Sequence, residues 1–410
     1  MKLNGELLFD VSHLYNTSSF SGIQRVLKDI SEYENLDVSF LKVVESCGKL
    51  KVQNVKQQKE IFKSSSSLPS IVIIVWVAMR SLQNFLARNN LGLLEHALRR
   101  VYDSGISVFR HFRTRKWNLV NEISNSVILI ANPIHSNKEI NFWLDIRRKS
   151  DCQLAVLIHD LLPVSRPSLF PSSRIESFKK YLEFCLSADY IFFVSKKTQS
   201  EFISYHQGAY QKESEIVIPN GLRPTHAVSK LIRQDQAILP NILCVSTFEP
   251  RKNHLLLLEA SSILWKRGVK FTLTLAGSSG WSNSPIHAEI SRVQSNFPGN
   301  LVVVKNPTDK QLEQCYLGSS FCVYPAIDEG FGIPVVESIS FNRKVISNPV
   351  PSLHLLSKED YFQLDGTLET LIKGISHGFE NFLGAEVKSK LDLPVLGEQV
   401  YLGCKKLIIK

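Results

Sequence analysis

The sequence predicts an α/β protein built from two doubly wound parallel-sheet domains. Three observations lead there. The chain has 410 residues, more than one typical hydrophobic core accommodates. Short β-branched runs alternate with helical patterns, the signature of strand–helix–strand units around a parallel sheet. That alternation occurs twice, interrupted by a polar stretch without clear periodicity at 221–239.

In chain order, the first set of strands is ELLFDVS (6–12), VSFLKVV (38–44), IVIIVW (71–76), VILIAN (127–132), LAVLIHD (154–160) and IFFVS (191–195). These near-continuous apolar runs read as strands buried on both faces. After EIVIPNG and the polar stretch come NILCVSTF (241–248), KFTLTLAG (270–277), NLVVV (300–304), FCVYPA (321–326) and KVISN (344–348). HLLLLEASSILWKRG lies between two of them and ends on Gly268, where a helix C-terminus wants glycine. The division expected is an N-terminal domain over 1–225, a C-terminal domain over 226–385, and a tail over 386–410 that forms a helix packing back on the N-terminal domain. In such sheets ligands bind beyond the carboxyl ends of the strands, so the informative residues should follow each strand.

Composition is that of a globular chain, 44% hydrophobic and 21% charged. The net charge of +10 points to an anionic partner. MKLNGELLFD is too polar for a signal peptide, and IVIIVWVAM falls far short of the ~20 residues of a membrane helix. The seven cysteines are scattered, without C-x-x-C or a Cys/His cluster, which fits reduced thiols in a cytosol and argues against zinc. SSSS (64–67) reads as a loop. Residues 80–116 mix arginines with Leu, Phe, Val and Trp. They read either as solvated helices or as a basic amphipathic surface resting on anionic lipid.

DEGFGIPVVES (328–338) raises the central chemical question. Pro334 suits the first turn of a helix, Gly330 and Gly332 allow a tight approach to it, and the N–H groups of that turn can receive phosphate or sugar oxygens. Glu337 lies about a turn into the helix and Glu329 in the loop before it. Eight helical residues span about 12 Å, too far for a glycosidase pair, so separate anchoring of hydroxyls fits better. The plainer alternative is that Glu337 only complements the helix dipole and Glu329 is a solvated loop acid.

This segment resembles the E-x7-E motif of the family 4 retaining glycosyltransferases. Other segments resemble the same family in the same order: SGIQRV (21–26), VLIHDLLPVSRPSLFP (156–171), FFVSKKTQSEF (192–202), IPNGL (218–222), STFEPRKNHLLLLEA (246–260) and AGSSGW (276–281). The branch most resembled contains bacterial O-antigen and exopolysaccharide mannosyl-type transferases. The resemblance implies the GT-B fold, two Rossmann-like domains facing a central cleft. It implies that Glu337 holds the ribose of a nucleotide. Glu329 and the backbone of Gly330, Phe331, Gly332 and Ile333 would contact the transferred sugar. Arg251 and Lys252 would neutralise the diphosphate, with Ser246-Thr247 standing where many relatives have arginine and Thr247 joining the donor site. His159 would reach the sugar near the reacting carbon, and Gly22, with Ser21 and Gln24 as a capping box, would let the first helix approach the phosphates. Plainer alternatives are a solvated Arg251–Lys252 pair, a satisfied core histidine at 159 and an ordinary helix start at 21–24. Asp160 would orient the loop after His159.

The activity implied is metal-independent hexosyl transfer with retention, from a nucleotide sugar and with no cofactor. GDP-mannose is the first choice of donor, ahead of UDP- or dTDP-sugars. The acceptor implied is a lipid-linked oligosaccharide, met in the cytoplasm or peripherally on the inner face of the cell membrane. The alternative is a catalytically silent GT-B scaffold that binds a glycan or a partner. No nucleic acid is expected, because aromatic RNA-binding and zinc-finger signatures are lacking. A Rossmann oxidoreductase is excluded by the lack of G-x-G-x-x-G after a strand.

Overall fold

The computed structural model describes residues 7–10, 38–46, 49–55, 126–150, 152–208, 210, 214–217, 239–391, 393 and 396–409. IVIIVW, the serine run, Gly22 with its neighbours Ser21 and Gln24, residues 80–116 and IPNGL lie outside them.

The first sheet holds β1 (Leu7–Asp10), β2 (Val38–Ser46), β3 (Lys49–Val55), β4 (Val127–Ile130), β5 (Gln153–Ile158), β6 (Tyr190–Phe193) and β7 (Ser214–Ile216), in the order β3-β2-β1-β4-β5-β6-β7. Every pair is parallel except β2–β3. The parallel sheet expected from the sequence thus gains one antiparallel edge strand, β3, which the sequence reading did not include. Only residues 47 and 48 separate the two strands, too few for a parallel crossover, so they form an antiparallel hairpin at the sheet edge. The second sheet holds β8 (Asn241–Val245), β9 (Thr272–Gly277), β10 (Leu301–Lys305), β11 (Phe321–Tyr324), β12 (Val345–Ser347) and β13 (Tyr361–Gln363), in the order β10-β9-β8-β11-β12-β13 and parallel throughout.

Helices pack on both sheets: α1 (Asn137–Ser150), α2 (Leu162–Ser165), α3 (Ser172–Cys185), α4 (Lys196–Tyr205), α5 (His254–Lys266), α6 (Ser284–Asn296), α7 (Asp309–Leu317), α8 (Ile333–Ser340), α9 (Leu368–Asn381) and α10 (Leu396–Ile409). Local chemistry sets several of their ends. Gly268 takes φ +82° just after α5. Thr308 and Gln311 form a capping box on α7, and Ser195 caps α4 by accepting from the Thr198 N–H.

Alternate residues of β4 and β5 point to opposite faces, and both faces are covered. Ile128, Ile130, Leu154, Val156 and Ile158 pack with Trp143 of α1 and Tyr181 of α3. Val127, Leu129, Ala155 and Leu157 pack with Leu396, Val400 and Cys404 of α10. The C-terminal helix therefore closes the second face of the N-terminal sheet. Each of its fully buried aliphatic side chains contributes roughly 1.5–3 kcal/mol. Phe331 and Val336 of the C-terminal domain join this same apolar cluster, so the two domains share hydrophobic contact. Among the described residues no helix is long and apolar enough to cross a membrane.

In the second sheet the chain runs from β8 outward through β9 to β10, then returns to place β11 on the other side of β8. The reversal opens a crevice beyond the carboxyl ends of β8 and β11. The residues after those two strands are 246–252 and 325–332.

Candidate active site

A cavity of about 510 Å³ lies at this crevice, between the domains. Its C-terminal wall includes Ser246, Thr247, Arg251, Lys252, Glu329 to Pro334, and Glu337; His159 and Tyr181 belong to its N-terminal wall. The fold brings every described residue singled out from the sequence to this one cavity. Gly22 lies outside the described residues.

The segment after β8 enters a short 3-10 turn, Pro250–Lys252, and Asn253 in the left-handed region starts α5. This turn swings Arg251 and Lys252 back over the strand ends. Lys252 is 7% exposed and Glu329 8%, which rules out the solvated charge pair and the solvated loop acid. Instead, Oε1 of Glu329 accepts from Arg251 Nη1 at 2.6 Å and also from Lys252 Nζ. Lys252 Nζ donates to the Tyr324 hydroxyl at 2.8 Å as well. Arg251 makes a second ion pair with buried Glu249.

The charges explain one another. Burial alone would raise the Glu329 carboxyl, but Arg251 and Lys252 outweigh it and hold it at about 2. Burial and the neighbouring guanidinium pull the Lys252 ammonium below its ordinary value. Burial opposes the charge on Arg251, yet Glu329 and Glu249 together push its value higher still. Burial lifts Glu249. The result is a sequestered cluster of two cations and two carboxylates, with lysine the less firmly held cation.

Glu337 has separate surroundings. It is fully buried on α8, and its Oε2 accepts from the Tyr316 hydroxyl at 2.7 Å. The two glutamates thus do not form an acid/base pair; each has its own partners. Pro334 stands in the first turn of α8, and Gly332 caps it at φ +95°. A side chain there would also strike Val350 and Ser352, so glycine meets both a backbone and a steric demand. The Gly332 carbonyl accepts from Ser352 Oγ at 3.0 Å. Phe331 turns its ring into the shared apolar cluster, leaving its backbone for the cavity.

His159 follows β5, lines the cavity, and bonds the Ala131 carbonyl through Nε2 at 2.8 Å. Burial lowers its ionisation, so the ring is neutral near pH 7. The histidine is at once satisfied on one nitrogen and present at the cavity. Asp160 accepts from the Leu162 N–H at 3.1 Å, holding the loop that follows.

Several neighbours escape sequence reading. Tyr324, the last residue of β11, could have been found as a strand-end residue. Glu249 sits two residues before Arg251 and could have been found by asking what balances that cation. Tyr316, the partner of Glu337, lies on a different helix and carries no local signal. Ser246 Oγ bonds His254 Nε2 at 3.0 Å, and burial with Lys252 nearby keeps that imidazole neutral, its value held down to about 3.

Two facing parallel-sheet α/β domains with a site at the switch point of the second define the GT-B class. Residues 229–364 match the family described as "Glycosyl transferases group 1". The chain is 25% identical over 266 residues to the "Serotype-specific mannosyltransferase WbdA" of Escherichia coli, a match covering 59% of this chain and 32% of that protein. It is 28% identical over 222 residues to the Escherichia coli "O-antigen chain mannosyltransferase B", covering 52% and 56% respectively. These matches thus span about a third and just over half of the relatives' lengths. In fold it is similar to the sucrose-phosphate synthase of Thermosynechococcus elongatus, with TM-score 0.55, 13% identity, and coverage of 98% of this chain and 95% of that one.

Proposed function

We propose that this protein is a retaining glycosyltransferase that moves a hexose, mannose from GDP-mannose first among the candidates, onto a growing bacterial surface glycan. The observation that carries the reading is the buried Arg251–Lys252–Glu329 cluster beside Glu337 at the switch-point cavity. The matches to mannosyltransferases support the choice of sugar. A lipid-linked acceptor on the inner face of the cell membrane fits the +10 charge.

The chemistry follows from charge. Breaking the bond between a sugar and a nucleoside diphosphate leaves negative charge on the departing phosphate. Arg251 and Lys252 are preorganised in a site largely removed from water, where such charge is stabilised most strongly. These two cations supply what a metal ion would supply in a metal-dependent transferase. Glu337 takes the ribose hydroxyls. Glu329 and the N–H groups at the start of α8 take hydroxyls of the sugar, and neutral His159 holds the sugar near its anomeric carbon. Glu329 is a poor nucleophile, since two cations hold its charge. Attack on the same face as departure, with the leaving phosphate accepting the acceptor's proton, therefore fits better than a covalent glycosyl-enzyme. The reading is tested by incubating the protein with GDP-mannose, UDP-glucose and dTDP-sugars and following release of the nucleoside diphosphate. Release from none of them, with the fold intact, would favour a silent scaffold.

A further inference from the structure

The loop that carries Glu329 is held from the opposite domain. Ser195 Oγ donates to the Gly330 carbonyl at 2.6 Å, and Thr198 Oγ1 donates to the same oxygen at 3.3 Å. Lys197 Nζ reaches the Glu329 carbonyl at 3.3 Å and the Asp328 carboxylate at 2.8 Å. Arg166 Nε takes the other Asp328 oxygen at 3.1 Å. Asp328, Glu329 and Gly330 are thus each held by N-terminal-domain side chains, mostly from the first turn of α4. The fit is close: a Cβ on Gly330 would lie 1.7 Å from the His159 carbonyl oxygen.

We propose that Ser195, Lys197 and Thr198 are positioning residues for the donor-binding loop, acting across the cleft. The inference rests on the transferase reading given above. A trans peptide points its N–H opposite to its carbonyl. Fixing the Gly330 carbonyl therefore fixes the direction of the Phe331 N–H, and holding the Glu329 carbonyl sets the backbone from which its carboxylate reaches the cations. The latch couples closure of the domains to assembly of the sugar site, so that the loop is in place only when water is excluded. No group is transferred in this step.

Ser195 has two jobs that two substitutions separate. It caps α4 by accepting from the Thr198 N–H, and it donates to the Gly330 carbonyl. Ser195→Asp keeps a strong cap but has no proton to donate and repels the carbonyl. Ser195→Asn keeps the cap and retains N–H donors. The experiment is small-angle scattering of the ligand-free protein and both variants, with calorimetric titration of GDP and UDP and of GDP-mannose and UDP-glucose. The expected result is a larger radius of gyration and about tenfold weaker nucleotide-sugar binding for Ser195→Asp, the weight of a lost buried hydrogen bond. Ser195→Asn should match wild type in both. Unchanged scattering and binding in Ser195→Asp would overturn the inference, as would equal expansion of both variants, which would mark a capping role alone. If wild type binds no nucleoside diphosphate, the transferase reading fails. The positioning role fails with it, even where the scattering still reports a latch between domains.

Discussion

Replacing Glu329 with glutamine removes the anion that Arg251 and Lys252 share while nearly preserving side-chain volume. The fold holds this carboxyl at about 2, against an ordinary 4.5. At roughly 1.4 kcal/mol per pH unit, the charged form is favoured in the folded state by about 3 kcal/mol. Glutamine keeps an oxygen to accept hydrogen bonds but forfeits that contribution and leaves buried cations undercompensated. Urea denaturation at pH 7 should therefore find Glu329→Gln less stable by about 3 kcal/mol. The sign of the pH dependence is set by the depressed value. The contribution is complete above the unfolded carboxyl's value and fades as pH falls toward the folded one, so wild type and variant should converge in acid. A nucleoside diphosphate should stabilise the variant more than wild type, because its phosphates replace the lost anion. Equal stability at pH 7, or a gap that persists unchanged to pH 2, would refute this account of the cluster.

Lys252→Met should lower nucleoside diphosphate release from the sugar donor by about 10²–10³-fold, the effect of removing one preorganised charge stabiliser, as read by steady-state kinetics. Gly330→Ala should force the loop away from the His159 carbonyl, where a Cβ would sit at 1.7 Å. Weaker donor binding and a larger radius of gyration would report it, and an unchanged KM would count against it. Thr308→Ala removes one half of the capping box on α7 and should cost about 1 kcal/mol in chemical denaturation, with donor affinity unaffected.

Much of the fold is legible because its strands are buried on both faces and so spell continuous apolar runs. β3 escapes that rule: KLKVQNV alternates with polar residues and lies at a sheet edge, a pattern that does not stand out as a core strand. β13, only YFQ, is too short to carry a pattern. In the candidate site, the charged residues that follow the strands were legible, Lys252 and Glu329 among them, as was Glu337 on the helix after β11. Their pairing was not. Lys252 and Glu329 are 77 residues apart, and Ser195 and Gly330 are 135 apart. Contacts at such separations depend on how the sheets are ordered and faced, which no local pattern records. Gly330 shows the limit well. As a residue it reads as freedom for a turn, but in the fold the space beside it is occupied by the opposite domain.

The most direct test of the central claim is calorimetric titration of GDP, UDP and dTDP into wild type and Glu337→Ala. The expected result is binding of one nucleotide by wild type and its loss in the variant, since Glu337 is assigned the ribose. Retention of full affinity by Glu337→Ala would contradict that assignment, and failure of the folded wild type to bind any of the three would contradict the transferase itself.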